Sequence, residues 1–201
     1  MHISPGHIRN AITNSSYKIP KLKGGMSADG VLRKAIKVYH ADGVEDATHY
    51  VESALTKEFW RTGRGAPLAK HVRQDLDAYV HLAAPDHRVA ATVSAKHPVR
   101  MGDHTVAADV DVLLHGGGNY VGRMAIAARQ ERPYTVEELA LIAAAPLHGL
   151  VDELEGGLFG GIVEAIEVWE LRLARASLVA RQDAEAAWPK LVERLLRAVA
   201  E

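Results

Sequence analysis

Asp109, Asp111 and His115 fall at alternating positions of the run His104 to Ile126, HTVAADVDVLLHGGGNYVGRMAI. Side chains two apart on a strand share a face, so a strand through this run presents two carboxylates and, at its end, an imidazole on one side. Ligands of that kind suit Mg²⁺, Mn²⁺ or another divalent ion, with His104 as a further flanking donor. The same carboxylates fit a second chemistry. With a five-residue turn over 115–119, Leu114 stands opposite Tyr120 and Asp111 opposite Arg123, and an opposite-charge cross-strand pair contributes roughly 0.2–1 kcal/mol. The spacing admits both a metal site at Asp109, Asp111 and His115 and a salt bridge.

Other chemistries find less support. Phosphate-cradling loops lead from a strand into a helix, whereas the glycines Gly116 to Gly118 join two short apolar runs as a hairpin does. The eleven histidines form no H-E-x-x-H pair, no G-x-S-x-G elbow is present, and a chain without cysteine has neither thiolate nucleophile nor thiolate metal site. Charges nearly cancel, 24 Lys+Arg against 25 Asp+Glu, so any nucleic-acid contact has to be local. The cations before the sheet, Lys21, Lys23, Arg33, Lys34, Arg61 and Arg64 with Lys18, Lys37, Lys70 and Arg73, are either such phosphate contacts or solvated helix faces.

The elements that must position these groups follow from periodicity and punctuation. Ser4 and Pro5 open a short helix to about Asn14, and a polar loop runs to Gly25. Helices are predicted from Ser27 to Gly43, from Val44 to Trp60, and from Pro67 to Leu82. The period then shortens. RVAATVSAKHPV and the two runs around the glycines read as three antiparallel strands in series. Thr135 and Glu138 make a capping box for a helix that Pro146 should kink or divide. The stretch IVEAIEVWELRLARASLVA reads as one long strand able to turn back near 174–176, and a helix over 183–199 closes the chain. On it, Leu191, Leu195, Leu196 and Val199 form either a docking face or a core face. The fold class is thus α/β or α+β: a helical N-terminal part over 1–84, then a core over 85–201 with a central mixed sheet flanked by helices, in one domain. The N-terminus lacks a continuous apolar stretch and no segment is long enough to span a bilayer, so the cytoplasm is the expected compartment.

A helix, a three-strand meander, a helix and a further strand is the element order of the PD-(D/E)XK nuclease superfamily, and the details resemble its RecB and Cas4-like branch. There the second strand carries Gly-x-x-Asp before an apolar run; here that place reads Ala108, Asp109, Val110, Asp111, so the resemblance puts Asp111 on the metal-binding aspartate. The opening ISPGHIRNAI is similar to the branch's N-terminal helix. Gln130 and Tyr134 share the spacing of its Gln-x-x-x-Tyr, although Pro133 and the Thr135 cap place both before the helix. The next strand of active members supplies Asp/Glu-x-Lys, whereas Tyr120 to Ile126 contains no acid, and Arg123 stays protonated at any working pH and cannot act as a base.

The resemblance therefore implies a degenerate member, with Asp111, Asp109 and Arg123 as the positions where catalysis would reside. Its first implication is a non-catalytic domain binding protein, and in part nucleic acid, within a larger assembly. A second is a nuclease dependent on Mg²⁺ or Mn²⁺ with a migrated site, in which Glu52, Glu58 or Glu131 joins Asp109 and Asp111. A third, independent of the family, is a structural assembly protein of a phage or mobile element, with self-association as its partner chemistry.

Overall fold

A computed structural model describes residues 2–19, 28–61, 63, 65–86, 88–91, 98–116, 118–127, 132–155 and 161–199. In chain order the elements are β1 (His2–Ile3), α1 (Pro5–Thr13), α2 (Ala28–Asp42), α3 (Val44–Ala54), α4 (Glu58–Arg61), α5 (Gly65–Ala83), β2 (Val89–Ala91), β3 (Val99–Met101), β4 (His104–Val106), β5 (Val112–Gly116), β6 (Asn119–Ile126), α6 (Val136–Leu154), β7 (Ile162–Glu170), β8 (Arg175–Ala180) and α7 (Arg181–Val199). The fold is α+β, with N-terminal helices and a central mixed sheet ordered β2-β5-β6-β7-β8. A small sheet, β1-β4-β3, lies beside it. None of the helices among the described residues is long and apolar enough to cross a membrane.

Alternation along the strands divides the interior in two. Met124, Ile126, Ile166 and Val168 point to one face of the sheet, where they pack with α1, α6 and α7; Ala125 and Trp169 point to the other, toward Val31, Ile36, Leu76 and Tyr79 of α2 and α5. A sheet buried on both faces needs helices on both, and the long α6 supplies the crossover by which β7 adds parallel to β6. The capping box forms as expected, Thr135 Oγ1 accepting from the Glu138 N–H and the Glu138 carboxylate accepting from the Thr135 N–H.

Four expectations change. The helix predicted over Val44 to Trp60 breaks after Ala54 and resumes as the four-residue α4. The first and second predicted strands each divide: β2 and β5 belong to the large sheet, while β3 and β4 form a hairpin in the small one. The antiparallel neighbours β2, β5 and β6 still make a meander, with that hairpin inserted between its first two strands. Residues 107–111 cross between the sheets through the interior: Ala107, Ala108 and Val110 are buried, and a buried crossing reads like a strand in sequence. The hairpin turn is tighter than five residues, with Gly116 facing Asn119 and Gly118 at φ +91°, a conformation that suits glycine. Finally, of the kink or division expected at Pro146, the division does not occur, and α6 runs on to Leu154.

Gly122, in the middle of β6, lets α6 approach the sheet. A Cβ there would lie 2.7 Å from Leu150 Cδ1, 2.8 Å from Ile166 Cδ1 and 2.9 Å from Val110 Cγ1. Gly122→Ala should lower unfolding stability by about 1–3 kcal/mol, the cost of overpacking a dense core. Urea unfolding checks it; a stabilised variant would show that these three side chains move aside freely.

Candidate functional site

The described structure separates the groups that a single strand would have aligned. Asp109 and Asp111 lie in the crossing segment rather than on a strand, and His115 is exposed toward the hairpin end of β5, about 13 Å along the strand from Asp111 at ordinary strand rise. His115 instead packs its ring 4.9 Å from that of Tyr120. Among the described residues no group of three or more His, Cys, Asp or Glu side chains is placed to hold a metal ion. The metal set Asp109, Asp111 and His115 is therefore not brought together.

Nor does Asp111 pair with Arg123. The true register sets Val112 opposite Arg123, one residue from the expected alignment, because the turn is shorter. Asp111 continues the ladder in another way. Its N–H donates to the Arg123 carbonyl at 2.8 Å, and its Oδ2 accepts from the Ala125 N–H at 2.6 Å. The carboxylate stands where a further strand carbonyl would be, so β6 keeps its hydrogen bond although β5 has not begun. Oδ1 faces Arg33 Nε at 3.5 Å from α2 and has no hydrogen-bond partner among the described residues. Complete burial pushes the Asp111 pKa up, against the pull of Arg33, the Ala125 N–H and Lys37.

Arg123 has no exposed surface and lies on the face of the sheet that α2 and α5 cover. Its Nε donates to Glu167 at 2.8 Å, its Nη2 is hydrogen-bonded to Asp86, and its guanidinium carbon lies 3.7 Å from the Trp169 ring centroid. Arg88 bonds the same two carboxylates, at 2.8 Å to Asp86 and 2.6 Å to Glu167. Two cations and two anions thus alternate, a network that holds most of its charge paired. The hydrogen bonds from Arg88, followed by those from Arg123, hold the Asp86 carboxyl well below the usual carboxylate range. Behind Trp169 the Tyr79 hydroxyl meets His40 Nε2 at 2.8 Å. Burial pushes the Tyr79 pKa up, so its phenol stays protonated beside the imidazole. Burial first, then the Arg123 charge, lowers the His40 pKa to about 4.

Sequence reasoning missed this network. Glu170, on the same strand as Glu167, is fully buried and accepts from the Tyr134 N–H at 2.9 Å. Asp86-x-Arg88 after Pro85 was the only local signal, since these two residues also bond each other. Trp169 is buried beside this network, its ring 5.1 Å from that of Tyr79. The C-terminal helix turns Leu191 and Leu195 inward to the core and leaves Leu196 exposed, so its apolar stripe is mostly a packing face.

The predicted nucleic-acid contacts divide likewise. Lys21, Lys23, Arg64, Gln130 and Glu131 lie outside the described residues, as does the side chain of Glu58. Arg61 is exposed at the end of α4, and Glu52 is engaged on the surface by Arg73 at 2.6 and 2.8 Å. Arg33, Lys34 and Lys37 of α2, with Asp42, Asp109 and Asp111, wall an open cavity of about 580 Å³. Lys34 also lies 5.0 Å from the Tyr50 ring centroid.

Two outcomes follow. Asp111→Ala strands the Ala125 N–H, whereas Asp111→Asn keeps an acceptor there; chemical denaturation should place the alanine variant about 1–3 kcal/mol below the asparagine variant. Equal stabilities would remove the ladder role. For His40 the unfolded chain binds its proton near pH 6.5 and the folded chain only near 4. The stability it contributes is present above pH 6.5 and is lost as pH falls toward 4. Urea midpoints at pH 7.0, 5.5 and 4.5 should therefore decline less steeply in His40→Gln than in the parent chain. No protein-family model and no curated protein matches this chain.

Proposed function

We propose that the chain is a non-catalytic RecB/Cas4-like domain of the PD-(D/E)XK superfamily that works through its surfaces, as a protein- and nucleic-acid-binding subunit of a larger assembly. The element order of that resemblance has a counterpart in α5, the meander β2-β5-β6, α6 and β7. The observation that carries the non-catalytic part is the engagement of Asp111. A catalytic carboxylate of this kind shares a hard cation with a second acid and leaves room for water and phosphate. The Asp111 side chain is instead enclosed, bonded to the Ala125 N–H and faced by Arg33. The neighbouring strand contributes Arg123, which is turned to Asp86 and Glu167.

The cations around that point support the binding part. Arg33, Lys34 and Lys37 share one cavity wall, and lysine and arginine side chains on a groove give sequence-independent contacts to phosphates. Such contacts need no metal and survive the loss of the second acid.

Titration calorimetry with Mn²⁺, run beside a cleavage assay on labelled DNA and RNA, tests the reading. The expected result is no saturable heat and no cleavage from the parent chain or from Asp111→Ala. Metal binding and cleavage that both disappear in Asp111→Ala would overturn it and establish a metal-dependent nuclease.

A further inference from the structure

We propose that the groove between the first turn of α1, the N-terminal half of α2, and α4 is a site for an unpaired nucleotide, whose base stacks on Phe59 and whose phosphate is held by Arg33 and Lys37. The inference rests on the nucleic-acid part of the reading above and names the ligand that this part of the surface recognises.

Two cavities meet along α2. The basic one contains Lys34 and Lys37; the other, of about 640 Å³, has Tyr17, Phe59, Trp60 and Leu68 in its wall, and Arg33 and Asp109 line both. The aromatic residues wall one end of the trough, Lys34 and Lys37 stand with Asp42, Asp109 and Asp111 at the other, and the Arg33 guanidinium lies at the junction. That is the division of a nucleotide into base and phosphate.

Aromatic residues are scarce here, two Phe, three Trp and six Tyr in the whole chain, yet three of them line this one cavity. Phe59 is 56% exposed, while its neighbour Trp60 is buried. The rings meet edge-on, centroids 4.9 Å apart and planes at 76°, so Trp60 steadies the Phe59 ring. An exposed ring on a groove wall gains most from a flat partner, and every base has a π-face that stacks on an aromatic side chain. Base pairing hides those faces inside the duplex stack, which makes the unpaired base the occupant.

The phosphate end has an unspent donor. Arg33 Nη2 is buried and has no hydrogen-bond partner among the described residues, while Nε of the same group faces Asp111 at 3.5 Å. Lys37 stands one helical turn further along, exposed on the cavity wall. A phosphate at the junction takes the free guanidinium donor and the ammonium together, in the charge-assisted geometry that arginine favours.

Fluorescence anisotropy with a short labelled oligothymidylate and a labelled duplex tests this on the full chain. Phe59 is exposed, so Phe59→Ala should unfold at the same urea concentration as the parent. The parent should bind the single strand more tightly than the duplex. Phe59→Ala should weaken the single strand by roughly 5- to 150-fold, the worth of one base–aromatic stack, and leave the duplex unchanged. Lys37→Ala should reduce the slope of log affinity against log salt by about 0.7, as expected for one single-strand phosphate contact. ATP added as competitor separates the sources: displacement that Phe59→Ala abolishes identifies a free nucleotide, and failure to displace identifies a strand, either of which supports the site. Equal affinity for strand and duplex, with Phe59→Ala matching the parent, overturns the stacking site and leaves the nucleic-acid reading standing. No binding of strand, duplex or ATP overturns both.

Discussion

A guanidinium with no exposed surface, at the centre of a five-stranded sheet, is the constraint around which this molecule is arranged. Burying an unpaired charge costs several kcal/mol even after relaxation, so Arg123 fixes what can stand beside it. Glu167 must come from the next strand and Asp86 from the segment that follows α5, with Arg88 bonded to both carboxylates. Trp169 supplies a ring face to the same cation. The helical lobe is seated on the sheet by this chemistry as much as by its apolar residues, since Tyr79 and His40 of α5 and α2 pack directly behind it.

Asp111 poses the complementary problem, a buried anion just before β5. It is kept by a backbone N–H that would otherwise be stranded, and by Arg33 arriving from α2. The two buried charges Arg123 and Asp111 are close in sequence pairing and yet belong to separate networks. Each charge therefore has to find its neutralising partner in a helix or strand distant in sequence, and each ties another element to the sheet.

That separation also explains what the sequence disclosed. Local rules sufficed where local physics decides: the Thr135 cap with Glu138, the start of α1 at Ser4 and Pro5, the stripe of Val31, Leu32, Ala35 and Ile36, and the order of a meander followed by helix and strand. They failed where burial imitates periodicity. Ala107, Ala108 and Val110 are buried where the chain crosses the interior, so the carboxylates at 109 and 111 looked like neighbours on a strand. They failed again at Glu167, Glu170 and Asp86, whose roles depend on partners more than thirty residues away. Of the site, the sequence made Asp111, Arg33, Lys34 and Arg123 visible as charges of interest, and left their pairing to be seen in three dimensions.

The parallel pairing of β6 with β7 has a consequence for how the chain folds. The hairpins β5–β6 and β7–β8 are each local and can close within microseconds. The pair that joins them must wait for α6 to form and for a long loop to close, which makes it the slow, non-local step. Until that step Arg123 has only Asp86 of its two carboxylate partners, so the first hairpin would enter a dry interior with its charge less well compensated. Neutralisation and docking therefore arrive together, and half-assembled sheets are disfavoured on electrostatic grounds. One arginine thus makes the two halves of the sheet a single cooperative unit.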